Sequence, residues 1–148
     1  MSEAVSHSLV KALRSVPDFA TLEDRTLLRI VGASANLFWE AGATVFEQGS
    51  ASEALYVVLS GEVSVSEATD TGESEITRIR PGFSFGELSL MLHTTHTKNA
   101  RAREPTELMV VPRESFEELL TSSPELAARF RSRLEERLPV RGAVTDTT

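Results

Sequence analysis

Between residues 35 and 112 the sequence is a series of short β-rich runs, each closed by glycine or a turn pair. The runs are 36–39, 44–47, 55–60, 62–67, 75–80, 99–103 and 107–111, and between them stand Gly42, Gly49, Gly61, Asp70-Thr71-Gly72 and Pro81-Gly82. Parallel neighbours need crossover connections of about a dozen residues or more, usually helical, and most of these gaps are far shorter. The spacing therefore predicts a largely antiparallel sandwich or barrel.

Helical patterns flank this block. Leu9, Val10, Leu13 and Val16 recur at helical spacing before Pro17 and Asp18 interrupt. Thr21 is placed to cap a second helix whose buried side is Leu27, Leu28, Ile30 and Val31. After the strands, Phe116, Leu119 and Leu120 mark one short amphipathic segment. Ser123-Pro124-Glu125 then gives an N-cap, a proline at the first helical position and an acid in the first turn. Leu126, Phe130, Leu134 and Leu138 follow at steps of four. The expected organisation is one domain over 1–148, with helices in 5–34, strands in 35–112, two helices in 113–138 and a disordered tail in 139–148.

Composition excludes several functions. The chain has no cysteine, so disulfides, thiolate metal sites and cysteine nucleophiles are absent and a reducing cytoplasm suits it. The apolar run 55–59 is far short of the roughly 20 residues of a membrane helix, and the N-terminus carries no secretory signal pattern. With 15 Lys and Arg against 22 Asp and Glu, the net charge of −7 argues against nucleic acid and anionic lipid as partners. The expected location is cytoplasmic, with no membrane association.

One stretch breaks the strand rhythm. Phe83-Ser84-Phe85-Gly86-Glu87-Leu88-Ser89-Leu90-Met91-Leu92 places a glycine where a strand gives way to a short helix, followed by the polar loop 93–99. Free backbone N–H groups at such a start can hold an anion, and glycine lets a ligand approach the main chain. Glu87 is out of place at a phosphate site unless it accepts hydrogen bonds from a neutral hydroxyl.

These residues resemble the cyclic nucleotide-binding domain of catabolite activator proteins, kinase regulatory subunits and gated channels. Glu40-Ala41-Gly42-Ala43-Thr44-Val45-Phe46-Glu47-Gln48-Gly49 is similar to the family's first hairpin. Leu55-Tyr56-Val57-Val58-Leu59-Ser60-Gly61-Glu62-Val63-Ser64-Val65 is similar to its central strand, glycine and strand. Pro81-Gly82 through Phe85-Gly86-Glu87-Leu88 resembles the entry to its phosphate-binding cassette, and the resemblance runs from Leu13 to Leu138. It implies a mainly β fold with flanking helices: an antiparallel, jelly-roll-like β-roll (double-stranded β-helix) with N-terminal helices and two C-terminal ones. It further implies cAMP or cGMP as ligand, held between the cassette and the final helix. Phe85, Gly86, Glu87, Leu88 and Ser89 would contribute, with Glu87 accepting the ribose 2′-hydroxyl and main-chain N–H groups holding the phosphate.

The family's cassette arginine is missing. Its position is His96 whether counted from Gly86 or back from Thr106-Glu107-Leu108-Met109-Val110-Val111, and Thr97 and Lys98 follow it. Arginine offers a bidentate, permanently charged contact, whereas histidine offers one bond and a partial charge near neutrality. Lys98, two residues on in an extended segment, can share a side with His96 and restore a point charge. If both bind phosphate, affinity should rise as pH falls through the mid-sixes; the plainer alternative leaves them as solvated loop residues. Arg101 and Arg103 alternate with Ala100 and Ala102, which predicts arginines outward and alanines inward. Trp39, Phe46 and Tyr56 are expected in the core. His93, His96 and Glu87 invite a metal reading, but the two-histidine strand pattern of cupins is absent, and no nucleophile elbow supports serine catalysis.

The expected function is therefore non-catalytic: a regulatory module binding a cyclic nucleotide through 85–98 without a metal. Only ten residues follow Leu138, so output is expected to pass to an effector in trans or to a missing fused domain. The alternative is a degenerate copy that no longer binds nucleotide and serves in protein interaction or homodimerisation through the last helix. Residues 76–103 hold Arg78, Arg80, Lys98, Arg101 and Arg103 against Glu87 alone, so one basic segment persists in an acidic chain.

Overall fold

The computed structural model describes residues 3–137. Helix α1 (Glu3–Arg14), a 3-10 turn (Pro17–Phe19) and helix α2 (Asp24–Ala33) lead into strands β1 (Ala35–Trp39), β2 (Thr44–Phe46), β3 (Ala54–Ser60), β4 (Val63–Thr69), β5 (Gly72–Ile79) and β6 (Ser84–Phe85). Helix α3 (Glu87–Leu92) then precedes β7 (Asn99–Ala102), β8 (Thr106–Pro112), α4 (Arg113–Ser122) and α5 (Pro124–Arg137). The strands form two four-stranded sheets, ordered β1-β8-β3-β6 and β2-β7-β4-β5, with every pairing antiparallel. This is the expected β-roll with flanking helices.

Two central strands explain how one chain builds two cores. Side chains alternate across a strand, so a strand covered on both faces reads as an unbroken apolar run. In β3 and β8, Leu55, Val57, Met109 and Val111 join a cluster with Leu13, Leu27, Phe116 and Phe130 from the helices. Their alternates Val58 and Leu108 join Val63, Ala100 and Phe85 between the sheets. Each such Val, Leu, Met or Phe side chain fully buried contributes about 1.5–3 kcal/mol relative to exposure. Trp39, Phe46 and Tyr56 lie half-buried at the margin of the inter-sheet cluster, not at its centre.

Several details depart from the sequence pattern. Helix α2 begins at Asp24 behind Glu23, which makes no side-chain cap, while the Thr21 hydroxyl donates to Glu125 Oε1 at 3.2 Å and so ties the turn to α5. The Ser123 cap forms, with Leu126 N donating to Ser123 Oγ at 3.4 Å. Strand β6 was not foreseen, because two residues are too few to show alternation; it pairs through Tyr56 opposite Phe85. In the last helix Leu126 and Phe130 are buried in this chain's own core, so that half of the leucine stripe is unavailable to a second copy. The side chains of Leu134 and Leu138 and the tail 139–148 lie outside the described residues. No helix among the described residues is long and apolar enough to cross a membrane.

Gly61, between β3 and β4, has φ +88°, and a Cβ there would stand 2.4 Å from Thr106 Oγ1 and 2.5 Å from the Pro105 carbonyl oxygen. That hydroxyl is itself fixed, accepting from Glu62 N at 3.1 Å and donating to the Glu104 carbonyl at 2.7 Å. Gly61→Ala should therefore lose about 3 kcal/mol, from left-handed strain plus overpacking. Equilibrium urea unfolding measures this, and a loss within error of zero would show that the connection yields.

Candidate ligand-binding site

Gly86 has φ +90° and immediately precedes α3; a Cβ at this position would lie 3.2 Å from the Tyr56 ring and 3.4 Å from the Ala54 carbonyl oxygen. The left-handed turn against β3 brings Glu87 into the first turn of α3 with its side chain inward, only 2% exposed. Leu90 anchors the same helix in the helical core, and Leu92 faces outward. The glycine thus does the local work of turning an acid, not a leucine, toward the interior.

A cavity of about 360 Å³ opens beside this turn. All eight residues singled out from the sequence line it: Phe85, Gly86, Glu87, Leu88, Ser89, His96, Thr97 and Lys98. Its opposite wall is Val65 of β4 with Ile76, Thr77 and Ile79 of β5, and Phe46 closes one end. These wall residues were missed. The one available signal was Ile76 and Ile79, apolar on a strand that is otherwise exposed. The cavity fits the size range of small-ligand sites, apolar on one side with a few polar groups on the other. None of its described lining comes from α5, whose Leu126 and Phe130 pack in the helical core.

His96 is not a solvated loop residue. Its ring is 4% exposed and lies parallel to Phe46, with centroids 3.5 Å apart and planes 3° from parallel. The backbone fixes it there: His96 N donates to the Ser50 carbonyl at 2.9 Å, and Gly49 N donates to the His96 carbonyl at 2.7 Å. Its Nε2 is buried and has no hydrogen-bond partner among the described residues. Burial pulls the imidazole below its ordinary value, against a smaller upward pull from the Glu53 carboxylate. The expected protonation in the mid-sixes is thereby displaced downward, and near neutrality His96 presents an uncharged ring.

Lys98 lines the cavity, but its Nζ is 3.3 Å from Glu67 Oε2 on β4. The other bases of this segment are opposed as well. Arg78 meets Glu75 at 2.9 Å, Arg80 meets Glu62 at 3.5 Å, Arg103 meets Glu62 at 2.9 Å and Arg101 pairs with Glu73. Arg101 and Arg103 do point outward while Ala100 and Ala102 are buried. His93 caps α3 in a left-handed conformation and turns away, with Nδ1 3.2 Å from Arg113 Nη1 and Nε2 3.7 Å from Glu117. It does not join Glu87 and His96 in the cavity.

The buried neutral imidazole has a consequence for stability. Below the ordinary histidine value of about 6.5 the unfolded chain takes up a proton that the folded state resists, so stability should fall as pH drops through that value. Glu73, held down by the Arg101 hydrogen bond, and Glu75, held down by Ser64, act only at lower pH, in the carboxylate range. Urea unfolding at pH 7 and pH 5.5 should show the loss in the wild type and a smaller one in His96→Phe, which keeps the stack. Equal losses in both would remove His96 as the cause.

The model of the cyclic nucleotide-binding domain family matches residues 37–123. Isozyme 1 of the cGMP-dependent protein kinase of Drosophila melanogaster is 31% identical over 121 residues, which cover 79% of this chain and 16% of that protein. The type II regulatory subunit of the cAMP-dependent protein kinase of the same species is 27% identical over 140 residues, 91% of this chain and 37% of that one. The chain thus spans well under two thirds of these relatives. Among solved structures, the sensor domain of the transcriptional regulator DNR from Pseudomonas aeruginosa shares the fold with a TM-score of 0.84 at 23% identity, covering 97% of each chain. The catabolite activator protein of Thermus thermophilus does so with a TM-score of 0.74 at 30% identity, covering 82% of this chain and 57% of that one. With two antiparallel sheets closed into a roll, a Phe-Gly-Glu turn into a short helix, and a family match across more than half its length, the chain belongs to the cyclic nucleotide-binding domain family.

Proposed function

We propose that this chain is a non-catalytic sensor module whose cavity takes a ribose-bearing ligand of the cyclic nucleotide class, cAMP or cGMP, and passes its occupancy to an effector. The observation that carries the proposal is the buried carboxylate of Glu87, turned by Gly86 into a cavity of about 360 Å³. A carboxylate so placed is an acceptor for sugar hydroxyls, while Ile76, Val65 and Ile79 offer a flat base an apolar wall. The phosphate edge would face the start of α3, Thr97 and Lys98. Relatives named for cGMP and cAMP dependence support the ligand class. The effector is a partner in trans or a fused domain.

A second reading, a degenerate module acting in protein interaction or oligomerisation, draws on Lys98 being already held by Glu67 and on histidine at the arginine position. Calorimetric titration of cAMP and cGMP separates the two. A weak but measurable affinity is expected for the wild type, with Glu87→Ala weakening it roughly 10- to 150-fold and His96→Arg strengthening it by a comparable factor, the range for a hydrogen bond to a charged group. Failure of both the wild type and His96→Arg to bind either nucleotide would overturn the sensor reading and leave the second.

A further inference from the structure

We infer that strand β1 is the contact edge of a symmetric dimer, formed when two copies of this chain pair their β1 strands antiparallel about Leu37.

The first ground is that β1 differs from the other sheet edges. An edge strand presents a row of unpaired N–H and C=O groups, and proteins blunt such rows with short strands, bulges or charge. One sheet ends in β1 and β6, the other in β2 and β5. Strand β6 has two residues, β2 has three and a shifted register, and β5 carries Glu73, Glu75 and Arg78. Strand β1 has none of these devices. It runs five residues in unbroken register with β8, and Ala35-Asn36-Leu37-Phe38-Trp39 contains no charge and no proline. Among the described residues no strand pairs with its other side.

The second ground is what the strand shows to solvent. Leu37 lies opposite Leu108 of the inter-sheet cluster, and Phe38, one residue on, points to the other face of the sheet. Leu37 is 46% exposed and Phe38 77%. A strand apolar on both faces is the pattern of one covered on both.

The third ground selects a second copy as the cover. Antiparallel pairing about Leu37 sets Leu37 against its own counterpart, Phe38 against Asn36 and Trp39 against Ala35, so each aromatic ring meets a smaller side chain. The chain carries a net charge of −7, so surfaces rich in acid repel a second copy. Here the first acid beyond the strand, Glu40, would face Ser34, and Glu107, beside Phe38 on β8, is turned to accept from Asn36 Nδ2 at 2.9 Å. No like charges meet directly. A five-residue strand is about 17 Å long, which puts the interface in the weak class below about 1,200 Å², and the dimer should dissociate in the micromolar range.

Sedimentation velocity from low to several hundred micromolar protein tests this, with a concentration-dependent dimer expected. Phe38→Lys, at an exposed position outside both cores, should raise the dissociation constant about tenfold or more while leaving the circular dichroism spectrum unchanged. Because the chain has no cysteine, single introduced thiols report the register. In the two-fold pair, Leu37→Cys sets its two Cα atoms about 4.5–5.5 Å apart, within disulfide reach, whereas Phe38→Cys sets them about 7–8 Å apart, at or beyond the limit. Mild oxidation should therefore cross-link Leu37→Cys about tenfold or more faster than Phe38→Cys, although Phe38 is the more exposed position. A chain that stays monomeric throughout, a dimer untouched by Phe38→Lys, or equal cross-linking of the two thiols overturns the inference.

Discussion

The parallel stack of His96 on Phe46 is the contact on which the rest of the site depends. Phe46 also meets Tyr56 at 5.6 Å and Phe85 at 5.9 Å, and Tyr56 lies nearly parallel to Phe85 at 5.1 Å. These four rings join β2 of one sheet to β3 and β6 of the other, directly beside the cavity. Aromatic pairs contribute about 0.5–1.5 kcal/mol each beyond area burial, so the cluster is a substantial part of what closes the roll at this end. Closing it also removes the imidazole from water. The packing that holds the sheets together and the neutrality of the cavity wall are thus one feature, and Tyr56, its phenol pushed up in pKa by burial and then by Glu53, lies in the same dry layer.

Much of this was legible in the sequence, where local pattern and tertiary role coincide. The run 55–59 is apolar throughout because β3 is covered on both faces, and Ser123-Pro124-Glu125 starts a helix because its cap is local. Phe85 to Ser89 reach the cavity because a glycine turn and a short helix leave them little choice. What could not be read is set by register across sheets. Lys98 meets Glu67 because β7 pairs with β4, Ser66 opposite Asn99, and no spacing along the chain announces that pairing. His96 looks like one more polar loop residue until the bridge between Ala51 and Thr95 lays its segment beside the turn after β2. The seat of Leu126 and Phe130 in the helical core is hidden for the same reason: an amphipathic stripe says that a face is buried, not against what.

Beside the packing of Leu90, Arg113 ties the cassette to the helical layer. Arg113, at the first position of α4, donates from Nη1 to the Leu90 carbonyl at the end of α3 at 3.2 Å and from Nη2 to the Ser52 carbonyl ahead of β3. Its Nη1 is also 3.7 Å from Glu117 one turn along α4. The guanidinium fork thereby satisfies one carbonyl that a six-residue helix leaves open and one ahead of β3, and so ties α3 to α4.

Phe130 gives this arrangement a mechanical reach. Its ring packs edge-on against Phe116 of α4 at 5.3 Å and tilted against Phe19 of the 3-10 turn at 6.3 Å. Interiors are densely packed, so a shift of the last helix would disturb both contacts. Elements from opposite ends of the polypeptide consequently meet at one ring, in a contact that does not run through the β-roll.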